Sequence, residues 1–232
     1  MNSTAAVADH KASAFPAWHT ALLLGALAAL VTMSALMNGK PRSHRLLSYI
    51  EAAIFEWAMA GWIVFGCRMK GQRLIGLIGE CSARWRTVLR DIAIAIGYLV
   101  IANMVLGILG HFVSGPPNQA LKNMLPHTPL EQAAFVALAA TAGFCEELIY
   151  RGYLQSQFAA WTGNLSIAVI LQGVVFGVSH AYQGFGQVLI ITVYGCMFGL
   201  LAAWRKSLRP GMIAHMLQDA ISGLIAARSI LN

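Results

Sequence analysis

Ionisable side chains interrupt the apolar sequence in three short segments. Their residues are Glu146, Glu147 and Arg151 in the first segment, His180 in the second, and His215 and Asp219 in the third. An ionisable group inside a membrane helix costs about 2.5–3.5 kcal/mol or more on insertion scales, so its presence indicates a specific role. Carboxylates and imidazoles can move protons, activate a water molecule or bind a metal ion. The three segments are therefore candidates for hydrolytic chemistry.

The first segment contains two carboxylates with different surroundings. Glu147 and Arg151 are four residues apart, which places them on one face of a helix and predicts an ion pair. Glu146 points about 100° away from Glu147 and has no partner in its own helix. Glu146 is therefore the stronger candidate for chemistry.

The two histidine segments each allow a structural and a chemical interpretation. His180, at the end of an apolar run, fits an interfacial side chain, a metal ligand or a base. His215 and Asp219 share a helix face at a spacing of four residues. They could form a buried hydrogen bond between helices, an oriented catalytic dyad or two metal ligands.

The elements that carry these residues are expected to be membrane helices. The chain has 232 residues, of which 58% are hydrophobic and 11% are charged, whereas soluble domains have about 25% charged residues. This composition predicts an all-α, polytopic membrane helix bundle. About seven transmembrane helices are expected, and an eighth re-entrant or interfacial helix is the alternative. The apolar runs are 20–37, 48–67, 92–113, 130–161, 165–182, 185–204 and 210–229.

The remaining segments complete the predicted topology. Residues 1–17 are expected to form a polar N-terminal tail, residues 18–232 a single transmembrane domain, and residues 68–90 an interfacial segment. The formal charge of +7 comes from basic residues between the apolar runs, a pattern typical of cytoplasmic loops. This distribution of basic residues favours a cytoplasmic N-terminus. It also indicates that the partner of the protein is a lipid bilayer and not nucleic acid. The four cysteines form no CxxC pair, and only Cys145 lies beside candidate site residues.

Helix geometry predicts which candidates lie at one depth. Glu146 and His180 are each about 25 Å along an ideal helix from the same turn at residues 162–164. Two antiparallel helices would bring them together. His215 fits less well, because it lies only about 13 Å beyond the turn near Lys206. A tilt, a longer loop or a broken start at residues 209–211 would be needed to close the difference.

In this order the three segments resemble a known family. Glu-Glu-xxx-Arg, then Phe176-xxx-His180, then His215-xxx-Asp219 is similar to the motifs of the CAAX-protease and bacteriocin-processing family, which includes the endoprotease of prenylated CAAX proteins. The resemblance covers about residues 125–225, which would be the protease-like core. It implies an intramembrane endopeptidase acting on a membrane-associated, CAAX-type prenylated or other peptide. A bacterial inner membrane is the expected location.

The resemblance also implies roles for individual residues. Glu146 with His180 would activate the attacking water, and His215 with residue 219 would stabilise the oxyanion. Glu147, Arg151 and Phe176 would support the site. The alternative is a zinc metallopeptidase with His180, His215 and a carboxylate as ligands, although the sequence contains no His-Glu-xx-His motif.

One departure from the family pattern bears on the mechanism. The prenyl-protein protease has Asn where this chain has Asp219, and a carboxylate donates to an oxyanion only when it is protonated. Asp219 would otherwise orient His215 or bind metal. Two other functions stay open. One is a membrane scaffold or immunity protein without catalysis. The other is a proton or ion pathway using Glu51, Glu56, Glu146 and His180, for which the sequence shows no internal repeat.

Overall fold

The structure is a helix bundle in every range that it describes. The computed structural model describes residues 15–36, 44–79, 84–113 and 119–231. Its helices are α1 Ala17–Leu36, α2 Arg45–Met69, α3 Ile75–Ile78, α4 Trp85–Val113, α5 Gln119–Met124, α6 Pro129–Glu146, a π-helix Glu147–Leu154, α7 Gln155–Thr162, α8 Leu165–Ser179, a 3₁₀ turn Ala181–Gln183, α9 Phe185–Arg205 and α10 Arg209–Leu231. The all-α prediction is confirmed for these ranges.

Each predicted apolar run contains a helix, although some boundaries differ. Five helical segments are long and apolar enough to cross a membrane: Ala17–Leu36, Arg45–Met69, Trp85–Val113, Pro129–Thr162 and Phe185–Arg205. α8 is shorter than its predicted run and ends at Ser179. α4 begins at Trp85 rather than Ile92, so the last residues of the predicted interfacial segment are part of this long helix. Of the predicted tail, residues 1–14 lie outside the described residues.

The outer surface of the bundle is apolar. Phe112 and Phe185 are each 78% exposed, and Trp204 is 67% exposed. Water penalises such a surface, whereas lipid tails do not. Together with the five long helices, this surface identifies an integral membrane protein.

Local signals define the ends of the helices that carry the site. Thr128 and Glu131 form a capping box at the start of α6: Glu131 N–H donates to Thr128 Oγ1, and Thr128 N–H donates to Glu131 Oε2. Gly163 ends α7 with a φ of 66°, and Asn164 caps α8 by accepting from the N–H of Ile167. The antiparallel pair of α7 and α8 follows directly from this turn.

Small residues let the central helices approach closely. Where α8 packs on α9, an added Cβ at Gly177 would lie 2.7 Å from the carbonyl oxygen of Val188, and one at Gly173 would lie 3.0 Å from the Cys196 nitrogen. Where α6 packs on α10, a Cβ at Gly143 would lie 2.8 Å from the Met216 nitrogen. Close packing of this kind stabilises helix association in lipid.

The start of α10 lies inside the bundle rather than at its end. After α9, the chain turns back through residues 206–208, where Leu208 N–H donates to the Ile78 carbonyl at 2.8 Å and Ser207 pairs with Gly79. The first turn of α10 therefore begins close to the π-helix: a Cβ at Gly211 would lie 2.7 Å from Glu147 Oε2. This deep start brings His215 to the depth of Glu146 through a short turn, so the longer loop considered from the sequence is not needed.

Candidate active site

One large cavity between the helices is lined by the four predicted catalytic residues, Glu146, His180, His215 and Asp219. Its volume is about 760 Å³, and its lining comes from helices throughout the chain, from Leu27 in α1 to Ala226 in α10. Most lining residues are apolar. Its carboxylates are Glu51, Glu56, Glu146 and Asp219, and its histidines are His180 and His215.

The two adjacent glutamates face different surroundings, as their helical spacing predicts. The Glu146 side chain, at the end of α6, is 16% exposed and lines the cavity. The Glu147 side chain is fully buried behind the cavity wall. The π-helix starts at Glu147, and its eight residues are all buried. π-helical turns are rare in proteins, and those that occur are often found at functional sites.

Glu147 is part of a buried charged group with Arg151 and His215. The Glu147 Oε1 atom lies 3.0 Å from Arg151 Nη1, an ion pair without the alignment of a hydrogen bond, and 3.1 Å from His215 Nδ1. The spacing of four residues predicted the first contact but not the second. Since His215 also faces the cavity, Glu147 connects the buried guanidinium to the site.

Two aromatic rings hold Arg151 in place. Its guanidinium carbon lies 4.3 Å from the centre of the Phe176 ring and 4.8 Å from that of the Phe198 ring. The planar cation is therefore enclosed by two π faces. Phe176 also packs edge-on against His180 at 4.8 Å and against His215 at 5.9 Å. Phe176 thus contacts three of the candidate residues.

His215 lies between three carboxylates. Its Nδ1 faces Glu147, while its Nε2 lies 3.6 Å from Glu146 Oε2 and 3.6 Å from Asp219 Oδ2. Both Nε2 distances exceed those of a good hydrogen bond. The Phe198 ring stacks on the imidazole at 5.1 Å. Nε2 is therefore the nitrogen that a bound substrate could reach.

His180 lines the same cavity but does not pair with Glu146. It is the C-cap residue of α8, and its Nδ1 lies 2.9 Å from the Phe176 carbonyl oxygen. If Nδ1 carries the proton, it donates to that carbonyl, and Nε2 is left as an acceptor. Tyr150 fixes this end of α8 by donating to Ser179 Oγ at 3.0 Å. A water molecule would be needed to connect His180 with Glu146.

Comparison with known protein families gives one match. Residues 128–221 match the family model described as type II CAAX prenyl endopeptidase, Rce1-like. The chain is similar to that family over these residues, which we call the matched segment. Comparisons with curated proteins and with solved structures gave no match. The matched segment contains all the predicted site residues, from Glu146 to Asp219.

Helices outside the matched segment complete the cavity. Leu27 of α1, Phe55 and Glu56 of α2 and Leu106 of α4 all line it. α2 is attached to the segment by the stacking of Trp57 on Phe144 at 5.5 Å. Glu56 Oε2 is buried without a hydrogen-bond partner among the described residues.

The predicted zinc ligands do not form a metal site as they are arranged. Within the described ranges, no group of three or more His, Cys, Asp or Glu residues is placed to hold a metal ion. In both histidines Nδ1 is the engaged nitrogen, with Glu147 in His215 and with the Phe176 carbonyl in His180, and this leaves Nε2 as the nitrogen that could bind a metal ion. Zinc dependence therefore stays a prediction.

Two residues beside the site were missed by sequence reasoning. Phe198 packs on His215 and Arg151, and Tyr194, one turn earlier in α9, lines the cavity. Tyr194 is 7% exposed. An aromatic residue in an apolar helix is ordinary, so only the hydroxyl of Tyr194 in a hydrophobic run could have drawn attention to it.

Proposed function

We propose that this protein is an intramembrane endopeptidase in which Glu146 and His180 activate a water molecule for attack on a peptide bond. The observation that supports it best is the position of Glu146, whose carboxylate faces an apolar cavity beside His215 and Asp219 while its neighbour Glu147 is buried in an ion pair. A carboxylate in this position is available to a substrate.

The first step would be the addition of water to the scissile carbonyl. The water oxygen bonds to the carbonyl carbon, one water proton passes to the Glu146 carboxylate, and the carbonyl π electrons move to the oxygen. His180 Nε2 would orient the water by accepting its second hydrogen. Both side chains line the cavity, which supports this assignment.

His215 would stabilise the negative oxygen. With both ring nitrogens protonated, Nδ1 donates to Glu147 Oε1 at 3.1 Å and Nε2–H points to the cavity. The buried Glu147 and Arg151 would hold the ring in this orientation. In the second step the C–N bond breaks, and Glu146 returns its proton to the leaving amine.

In the alternative mechanism, His180 and His215 are zinc ligands. His180, His215 and a carboxylate would hold the metal ion, which would supply Lewis-acid activation of water. Because the described residues are not placed as a metal site, we favour the route through Glu146.

The substrate is proposed to be a membrane-associated protein or peptide. The match of residues 128–221 to the CAAX prenyl endopeptidase model supports this class, and the apolar lining of the cavity, including Leu27, Phe55 and Leu138, suits a lipid-modified or hydrophobic segment. We propose a prenylated CAAX-type peptide as the first substrate to test and the inner membrane of a bacterium as the location.

The test is cleavage by the purified protein in detergent. A farnesylated CAAX peptide, the same peptide without the farnesyl group and a panel of fluorogenic peptides would be incubated with wild type and with Glu146→Ala. The proposal predicts that wild type cleaves at least one peptide and that Glu146→Ala does not. If folded wild type cleaves none of them, a non-catalytic scaffold or immunity protein is favoured, and if Glu146→Ala cleaves as wild type does, the mechanism is wrong.

A further inference from the structure

A water-based peptidase needs donors for the oxygen that becomes negative, and this site lacks one at position 219. The side chain there is a carboxylate, which accepts hydrogen bonds unless it is protonated. Its Oδ2 already faces His215 Nε2 at 3.6 Å. His215 alone would then stabilise the oxyanion, whereas peptidases generally use two or more donors.

Tyr194 has a hydroxyl that no described residue uses. Its Oη is buried and has no hydrogen-bond partner within residues 15–36, 44–79, 84–113 and 119–231, and the side chain lines the cavity. A buried polar group without a partner is uncommon and calls for an explanation, such as a bound water or a catalytic role. A phenol carries its proton at neutral pH, because its ordinary pKa is about 10. Tyr194 can therefore donate.

The packing of α9 against α10 connects the Tyr194 ring to His215 through Phe198. Phe198 stacks on His215, and Tyr194 packs on Phe198 with ring centres 4.5 Å apart. Tyr194 is one turn before Phe198, and Asp219 is one turn after His215. Both side chains line the cavity. Tyr194 and Asp219 thus belong to the cavity wall on the two helices that meet at the Phe198–His215 contact.

We propose that Tyr194 donates a hydrogen bond to the oxyanion of the tetrahedral intermediate and so supplies the donor that Asp219 cannot. This assignment rests on the proposed endopeptidase function. When water adds to the carbonyl and a proton passes to Glu146, the carbonyl π electrons move onto the oxygen. The Tyr194 O–H and the His215 Nε2–H then donate hydrogen bonds to this negative oxygen. When the C–N bond breaks, that electron pair returns to form the new carboxyl group, and Tyr194 keeps its proton throughout.

The matched control is Tyr98. Its hydroxyl is also buried without a partner in the part of the chain that the structure describes, and its ring packs on Phe198 at 4.8 Å and on Tyr194 at 6.2 Å. Tyr98 is not among the residues that line the cavity. Removing an unpaired buried hydroxyl should leave stability unchanged or raise it slightly. Tyr98→Phe and Tyr194→Phe therefore have the same expected effect on folding and different expected effects on catalysis.

The experiment measures kcat, KM and melting temperature for wild type, Tyr194→Phe and Tyr98→Phe on a peptide that wild type cleaves and Glu146→Ala does not. The loss of one oxyanion donor lowers kcat by about 10²–10³-fold. We expect this loss in Tyr194→Phe with KM within about 2-fold, and no change in Tyr98→Phe. An unchanged kcat in Tyr194→Phe would overturn the assignment.

A binding measurement separates this inference from the proposed function. A peptide with a phosphinate in place of the scissile amide imitates the tetrahedral anion, and its Kd can be measured without cleavage. Tyr194→Phe should bind it about 10²-fold more weakly than wild type, while Tyr98→Phe should bind it as wild type does. Equal affinity in all three proteins would overturn the role of Tyr194 whether or not wild type cleaves peptides. If wild type cleaves nothing, the endopeptidase proposal itself is overturned.

Discussion

The Nδ1 atom of His215 lies 3.1 Å from Glu147 Oε1, the same oxygen that Arg151 approaches to 3.0 Å. One buried carboxylate oxygen is therefore shared by a permanent cation and by the imidazole that faces the cavity. His215 therefore contacts a charge that is fully buried. This relationship distinguishes Glu147, which is buried behind the site, from Glu146, which lines the cavity.

Replacing Glu147 should affect folding far more than replacing its neighbour. Glu147→Gln leaves the buried Arg151 guanidinium without its anionic partner, and breaking a buried pair costs about 3–5 kcal/mol. Glu146→Gln changes a partly exposed carboxylate in the cavity, so a loss below about 1 kcal/mol is expected. Reversible unfolding of the two isosteric variants in detergent and SDS mixtures measures the difference. Equal stability of both would contradict the arrangement described above.

Arg151→Lys should not preserve the site. The guanidinium lies between the rings of Phe176 and Phe198, and an ammonium group has neither the plane that fits this space nor the forked donors. We expect a lower melting temperature and a cleavage rate reduced by at least about 10-fold. Arg228→Lys, at an exposed position near the end of α10, serves as the control and should match wild type. A fully active Arg151→Lys protein would show that the aromatic enclosure is dispensable.

Gly143→Ala should separate the helices that carry Glu146 and His215. The added Cβ would lie 2.8 Å from the Met216 nitrogen and 2.9 Å from the Met212 carbonyl oxygen, and backbone atoms cannot move away as a side chain can. Overpacking of this kind costs about 1–3 kcal/mol. Both the melting temperature and the cleavage rate should fall. Gly107→Ala in α4, where no atom lies within 4 Å of the new Cβ, should change neither.

Removal of metal should leave the rate unchanged. The proposed route uses Glu146 as the base, and the described residues are not placed as a metal site. Cleavage would be compared before and after treatment with a strong zinc chelator, and after zinc is added back. If the chelator abolishes activity and zinc restores it, then His180 and His215 are metal ligands and the proposed route is wrong.

Part of the fold and site could be predicted because the relevant signals are local. The low charge content predicts membrane helices, and the turn at residues 162–164 carries its own cap, so Glu146 and His180 were expected at one depth. Both line one cavity in the structure. The pairing of Glu147 with Arg151 likewise follows from a spacing of four residues.

The rest depends on contacts between residues far apart in the chain. The deep start of α10 requires the hydrogen bond from Leu208 N–H to the Ile78 carbonyl. No sequence pattern near residue 208 predicts this hydrogen bond. The π-helix after Glu146 has no simple sequence signal, and the unpartnered hydroxyl of Tyr194 becomes visible only when its surroundings are known. Such features require the tertiary structure.

The most direct test of the central claim is the cleavage rate of Glu146→Gln, measured beside its melting temperature. Glutamine keeps the shape of the side chain but cannot accept a proton from water, and the loss of a general base lowers the rate by about 10²–10⁴-fold. A loss of this size in a protein that melts at the wild-type temperature is the predicted result. Cleavage at the wild-type rate by the folded variant would contradict the account.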